Sequence, residues 1–106
     1  MQNSIVPETV QVVCQVLDDL GTDGHVWPEM AENEANEQTI IQWIIDGQFK
    51  RPLRVIAFNI EEGWSRDITH GIARRILQLN RRGTPLGAAA REFVERVTGE
   101  SPVVAV

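Results

Sequence analysis

The apolar positions of residues 10–20 are compatible with two secondary structures. As a helix, the segment would carry one apolar face, and as a strand it would use its high density of valines. A turn signal at residues 21–24 and a second short β-like run after it favour the strand. We therefore predict a hairpin in which residues 10–18 pair with residues 25–29.

Residues 32–46 carry the pattern of an amphipathic helix. Acidic residues are concentrated near its start, where the helix dipole favours negative charge. Four isoleucines then fall on one face at helical spacing, namely Ile40, Ile41, Ile44 and Ile45. Their β-branched side chains also suit a strand, but the spacing favours the helix. Gly47 stands where a C-terminal cap belongs.

The clearest strand covers residues 52–59. Its apolar run is nearly continuous, so we expect a central strand that is covered on both faces. Residues 61–63 would end it. Ser65 is then a suitable helix N-cap with Asp67 in the first turn, and this second helix would run to about Asn80.

A third helix is indicated by Thr84 and Pro85, a capping residue followed by proline at the first helical position. The predicted order is β-β-α-β-α-α. The expected fold class is α+β, with a small three-stranded sheet packed against helices. We expect a single domain over residues 10–99, with frayed segments at residues 1–9 and 100–106.

The composition narrows the functional classes. One cysteine among 106 residues excludes an intramolecular disulfide and a cysteine metal cluster. The chain shows no signal peptide and no run of about 20 apolar residues, so we expect a cytoplasmic protein that does not associate with membranes.

Charge is distributed unevenly along the chain. Residues 1–49 contain nine acidic residues and no Lys or Arg, whereas all ten Lys and Arg residues lie in residues 50–106. The net charge is −5. This division either creates a dipolar surface that steers partners, or lets the two halves neutralise each other when they pack.

Three segments resemble a family of small bacterial proteins to which no activity is assigned. The segment that carries most of the resemblance is residues 54–59 followed by residues 62–68. The others are residues 17–21 with Gly24, Trp27 and Glu29 after them, and residues 37–41 followed by residues 46–49. The resemblance covers roughly residues 10–80. It implies a hairpin over residues 10–29 and a helix over residues 36–46. His70 and Trp43 depart from the family, which tends to have acidic or polar residues there.

The best candidate site is the corner where the strand would feed the second helix. Its residues are Asn59, Glu62, Trp64, Ser65, Arg66 and Asp67. A helix N-terminus favours anions, and an arginine can bind a phosphate or carboxylate through two hydrogen bonds. The alternative is a capped helix start with Trp64 as a core anchor. The neighbouring acids, with His70, lack a recognised metal-binding spacing, and no nucleophile accompanies them. We therefore expect no metal, no cofactor and no enzymatic activity.

Two further features bear on partners. Arg74, Arg75, Arg81 and Arg82 form a basic patch, but the helix after it alternates basic and acidic residues and could neutralise few phosphates. The sequence therefore disfavours nucleic-acid binding. Of the three tryptophans, Trp27 and Trp64 are expected in the core, and Trp43 is expected to face outward as an interface residue.

The sequence favours a small non-enzymatic interaction or accessory module that binds protein, either another protein or a second copy of itself. The alternative is a domain that binds a small molecule or an anion at the Asn59–Asp67 corner. Nucleic-acid binding through the arginine patch is the third hypothesis.

Overall fold

Four antiparallel strands and three α-helices make up residues 12–103, the part of the chain that the computed structural model describes. They are β1 (Val12–Asp19), β2 (His25–Val26), α1 (Glu37–Ile45), β3 (Pro52–Asn59), β4 (Trp64–Asp67), α2 (Thr69–Arg81) and α3 (Ala88–Thr98). The strand order is β2-β1-β3-β4. The α+β class is confirmed. The prediction of a frayed segment at residues 1–9 lies outside the described residues.

The predicted N-terminal hairpin is confirmed at its turn, but only two residue pairs connect its strands, and the rest of β1 pairs with β3. β1 and β2 pair antiparallel, with Asp18 opposite Val26 and Asp19 opposite His25. The second strand ends at Val26 instead of reaching residue 29, two residues before Pro28, which has no N–H for a ladder. A 3-10 turn at Gly21–Asp23 connects the strands.

The prediction of a three-stranded sheet was wrong because β4 is a strand. Residues 60–63 reverse the chain, and Trp64–Asp67 pairs antiparallel with β3, from Asn59 opposite Trp64 to Ile56 opposite Asp67. Ser65 is therefore not a helix N-cap, and α2 begins at Thr69. The central strand β3 needs a partner for the backbone groups of its outer edge, and β4 supplies it.

Two other helices begin later than predicted. Residues 32–34 form a separate 3-10 turn, and α1 starts at Glu37. The start is set by Asn36, whose Oδ1 accepts a hydrogen bond from the Thr39 N–H at 2.9 Å. α3 starts at Ala88, three residues after Pro85.

The helices cover one face of the sheet. Along β1 and β3, every second side chain is buried, with Cys14 and Val16 on the first strand and Val55 and Ala57 on the second. These pack against apolar side chains of the three helices, including Ile40, Ile44, Ile72, Ile76, Phe93 and Val94. The alternate side chains of both strands are not buried. The expectation that β3 is covered on both faces was therefore wrong.

Buried polar side chains, among them Asp18 and Asn80, connect elements of the fold. The Asp18 carboxylate accepts hydrogen bonds from the N–H groups of Lys50 and Arg51 at 2.9 and 2.7 Å, which joins β1 to the start of β3. Asn80 binds Thr84 and Val103. Residues 100–103 are thus anchored on α2, although we had predicted fraying from residue 100.

Candidate functional site

The structure separates the six residues of the predicted corner into distinct places. Asn59 and Glu62 belong to the turn between β3 and β4. Asn59 is buried, and its Oδ1 accepts a hydrogen bond from the Glu62 N–H at 2.8 Å. The Asn59 carbonyl accepts another from the Gly63 N–H, also at 2.8 Å. Gly63 has a φ of 76°, the left-handed region that favours glycine. These contacts of Asn59 close the turn between β3 and β4.

Successive residues of β4 point to opposite faces of the sheet. Trp64 packs partly against the core, and the guanidinium carbon of Arg66 lies 4.9 Å from the centroid of its ring. The Trp64 Nε1–H donates to Glu62 Oε1 at 2.8 Å. Ser65 and Asp67 lie on the opposite face. Because the segment is a strand, these residues do not surround one helix N-terminus, as the sequence had suggested.

Asp67 occupies the start of α2. Its Oδ1 accepts hydrogen bonds from the Thr69 N–H and hydroxyl at 2.9 and 2.5 Å, and its Oδ2 lies 3.5 Å from Arg54 Nε. Partial burial raises the pKa of Asp67, but the bonds from Thr69 and the charge of Arg54 outweigh it and hold that pKa below its usual value. An open cleft of about 580 Å³ beside this pair also borders His70 and Arg96. The carboxylate thus already fills the anion position at this helix end.

Trp43 and Trp27 both reach the surface of the protein. Trp43 is half-buried, and its ring centroid lies 6.2 Å from that of Phe49 at the edge of the core. It borders an open groove between α1 and α2, together with Arg75 and Leu79. Trp27, expected in the core, keeps 49% of its surface exposed. The expectation of a core position for Trp27 was therefore wrong, whereas the role of Trp43 as an interface residue stays a prediction.

The basic patch is partly neutralised from within the chain. Glu100 binds Arg74 Nη1 at 2.6 Å and Arg81 Nη2 at 2.5 Å. These bonds, first the one from Arg81 and then the one from Arg74, lower the pKa of Glu100. Two arginines of the patch are thus committed to one glutamate that the tail brings to α2.

The sheet face opposite the helices carries an apolar cluster that we call the open face cluster. It consists of Val13, Gln15, Trp27, Phe58 and Ile60, which line a shallow depression of about 520 Å³. Val13 and Phe58 are direct cross-strand partners on β1 and β3. Ile60, in the turn after β3, is 76% exposed. Leu17 and Ile56 continue the same face, since they alternate with the buried positions.

The open face cluster was not predicted from the sequence, although the sequence contains a signal for it. β1 and β3 have apolar side chains at both odd and even positions. If helices cover only one face of such a sheet, the apolar side chains of the other face stay uncovered. We interpreted the continuous run as a strand covered on both sides. The pattern reveals two apolar faces but not which of them the rest of the chain covers.

Glutamates lie in the two chain segments that follow the exposed residues Trp27 and Ile60 of the open face cluster. The segment between Trp27 and α1 runs beside β1, where the Cys14 N–H donates to the Ala35 carbonyl at 2.8 Å, and it contains Glu29, Glu32 and Glu34. Glu61 and Glu62 follow Ile60 in the turn. Within residues 12–103, none of these five carboxylates lies in a salt bridge. The nearby Asp67 and Arg54 pair with each other.

Groups for metal or thiol chemistry are not assembled in the described part of the chain. Among residues 12–103, no three His, Cys, Asp or Glu side chains are grouped to hold a metal ion. Burial, and to a smaller extent the charge of Glu37, raises the pKa of the Cys14 thiol to about 11. The thiol is therefore protonated at neutral pH and a poor nucleophile. No helix in the same residues has the length and apolar character needed to cross a membrane.

Comparisons with family models, curated proteins and solved structures found no match to this chain. The resemblance to a family of small bacterial proteins therefore stays a prediction from the sequence.

Proposed function

We propose that the protein is a non-enzymatic, protein-binding module whose contact surface is the open sheet face. The observation that supports this is the apolar cluster of Val13, Trp27, Phe58 and Ile60 on a face that the helices leave uncovered. Trp27 and Ile60 are exposed, and Val13 and Phe58 are half-buried. Single exposed apolar residues are common, but a contiguous apolar patch bordered by polar residues is typical of an interaction site. A tryptophan in such a group is typical of residues that contribute strongly to binding.

The shape of the surface supports a macromolecular partner. The depression is shallow and open, and it lies on the face of the sheet that the helices leave uncovered. Small-molecule sites are usually deep enough to enclose most of their ligand and carry several converging polar groups. Here Gln15 is the one polar side chain among the lining residues. A broad apolar surface of this kind suits contact with another protein chain.

The two alternative functions have weaker support. An anion at the predicted corner would meet the Asp67 carboxylate, which already binds Thr69 at the start of α2. Nucleic acid at the arginine patch would have to compete with Glu100 for Arg74 and Arg81. Each site therefore offers an anionic ligand a carboxylate as its neighbour, which opposes binding.

The test compares two serine substitutions at exposed apolar residues. Ile60→Ser alters the open face, whereas Val103→Ser is the matched control. Val103 is 58% exposed and lies in the segment after α3, where Asn80 of α2 binds its backbone. Wild type and both variants are used as baits in lysate of the source cell, and the retained proteins are identified and then purified. We expect a protein that wild type and Val103→Ser bind directly and that Ile60→Ser binds at least tenfold more weakly. If purified partners bind all three alike, the proposed surface is wrong.

A further inference from the structure

We propose that the partner contributes a cationic amphipathic helix, with an apolar stripe that packs on the open face cluster and Lys or Arg residues that face its glutamate border. This inference rests on the proposed function. It names the chemistry of the bound segment, and it follows from the shape, the polarity and the charge of the surface.

The dimensions of the sheet fit a helix lying across it. A helix with its side chains is about 10 Å wide, which corresponds to about two spacings between neighbouring strands. The open face cluster extends from Trp27, beside β1, to Phe58 in β3 and Ile60 in the turn after β3. A helix with apolar residues every three or four positions can therefore contact the cluster along one stripe.

The free edge of β4 is less suited to the alternative in which the partner adds a strand. The exposed side chains at that edge are Ser65, Arg66 and Asp67, and Asp67 is already bound to Arg54 and Thr69. Addition of a strand there would bury no apolar cluster. The apolar area lies on the face of the sheet, so the face is where a partner gains most from excluding water.

The negative charge next to the cluster favours a partner segment of positive charge. Glu29, Glu32 and Glu34 follow Trp27, and Glu61 follows Ile60, without salt-bridge partners in residues 12–103. Glu62 does not count toward this border, because its carboxylate accepts the Nε1–H of Trp64, which packs against the core on the other face. Complementary charge around an apolar contact increases the association rate and disfavours partners of the wrong sign. A segment with Lys or Arg beside its apolar stripe complements this border.

The same charges disfavour a second copy of this chain as the occupant. Two copies stacked face to face about a twofold axis would bring the same surface patch of each together. Their glutamate borders would then meet at the rim, and juxtaposed like charges oppose association. The acidic border therefore distinguishes a basic partner from self-association.

The experiment uses synthetic peptides as probes of the full-length chain. One is an 18-residue peptide of Leu and Lys, ordered so that a helix has a single leucine stripe. The second has the same composition in scrambled order, and the third replaces each Lys of the first with Glu. Binding is measured by fluorescence anisotropy of labelled peptide in low and in physiological salt. Circular dichroism checks that each variant is folded.

Two matched pairs of variants locate the binding surface and its charge. Ile60→Ser is compared with Val103→Ser, with Trp27→Ala as a second variant of the face. The double variant Glu29→Gln/Glu61→Gln removes two negative charges beside the open face. Its control is the double variant Asp46→Asn/Glu95→Gln, which removes two negative charges from the helical layer.

We expect the first peptide to bind at least tenfold more tightly than either other peptide, and added salt to weaken it. Ile60→Ser and Trp27→Ala should weaken binding by about tenfold or more, and Val103→Ser should leave it unchanged. The Glu29→Gln/Glu61→Gln variant should bind the first peptide several-fold more weakly at low salt, and the Asp46→Asn/Glu95→Gln control should bind it as wild type does.

Equal affinity for the ordered and scrambled peptides, or for the Lys and Glu peptides, would overturn the inference. So would a wild-type dimer in sedimentation that Ile60→Ser converts to a monomer, which would assign the face to a second copy. If the peptides fail but a purified protein partner still requires Ile60, the helix chemistry is wrong and the proposed function stands. If no partner requires Ile60, the proposed function fails as well.

Discussion

The Asn80 side chain holds the backbone of Val103 from both sides. Its Oδ1 accepts a hydrogen bond from the Val103 N–H at 2.6 Å, and its Nδ2 donates to the Val103 carbonyl at 3.1 Å. The same Nδ2 donates to the Thr84 carbonyl at 3.0 Å. Asn80 is buried, so this one amide connects α2 to the turn before α3 and to the chain beyond it.

Asn80→Ala should lower the free energy of unfolding by about 1–3 kcal/mol, because it removes the hydrogen bonds of part-buried backbone groups of Thr84 and Val103. Urea unfolding measures the change. The control is Gln78→Ala, an exposed position of the same helix, which should change stability by less than about 0.5 kcal/mol. Equal effects of the two substitutions would show that the Asn80 bonds do not hold the tail.

Ser65 and Asn36 provide a test of the strand assignment of β4. Asn36 caps α1, so Asn36→Ala should cost about 1 kcal/mol. Ser65 lies in an edge strand, where a β-branched residue is favoured, so Ser65→Val should be neutral or slightly stabilising in urea unfolding. A loss of about 1 kcal/mol for Ser65→Val as well would instead indicate that Ser65 caps a helix.

Thr69→Val should raise the pKa of Asp67 towards its usual value. The substitution keeps the shape of the side chain but removes the hydroxyl that donates to Asp67 Oδ1 and accepts from the Val55 N–H at 2.9 Å. NMR titration of the Asp67 carboxyl gives its pKa directly. The variant should also lose about 1–3 kcal/mol of stability, since the Val55 N–H is buried. An unchanged pKa with lost stability would show that the backbone bond and Arg54 alone lower it.

Acid should destabilise the protein partly through Glu92. Its hydrogen bond with Arg96, opposed by partial burial and assisted by the charge of Arg51, holds its pKa below the ordinary value of 4.5. The folded state therefore binds the proton less readily than the unfolded state. The contribution to stability is present above the unfolded-state pKa and is lost as the pH falls through the lower folded-state pKa.

Urea unfolding between pH 7 and the acid limit of folding measures this dependence. Glu92→Gln should make stability fall less steeply with acidification below pH 4.5. The control is Glu95→Gln on the same helix, because Glu95 forms no salt bridge within residues 12–103. Parallel pH profiles for wild type and Glu92→Gln would contradict the assignment.

The elements that sequence predicted well are those whose pattern is local. β3 has the predicted bounds, Pro52–Asn59, and the hairpin of β1 and β2 forms around the predicted turn. The isoleucines of α1 at 40, 41 and 44 are buried on one face, as their spacing indicated. Each of these signals is contained in fewer than about 20 consecutive residues, so neighbouring residues were enough to specify it.

The candidate site was predicted poorly because its geometry depends on contacts between distant segments. The six corner residues are close in sequence, but a strand turns alternate side chains to opposite faces, which separates Ser65 from Arg66. Conversely, Val13 and Phe58 lie 45 positions apart in the chain and become neighbours only through the pairing of β1 with β3. No local pattern contains that register.

The sequence by itself determined where the chain forms strands and helices of strong periodicity, and that its strands carry apolar residues on both sides. Only the tertiary structure decided that Trp64–Asp67 is a strand, because four residues without alternation gain their stability from the ladder with β3. It also decided which face of the sheet the helices cover. Periodicity shows whether the two faces of a strand differ in polarity. Burial depends on where the other elements pack, so the exposure of Trp27 and Ile60 follows from the fold alone.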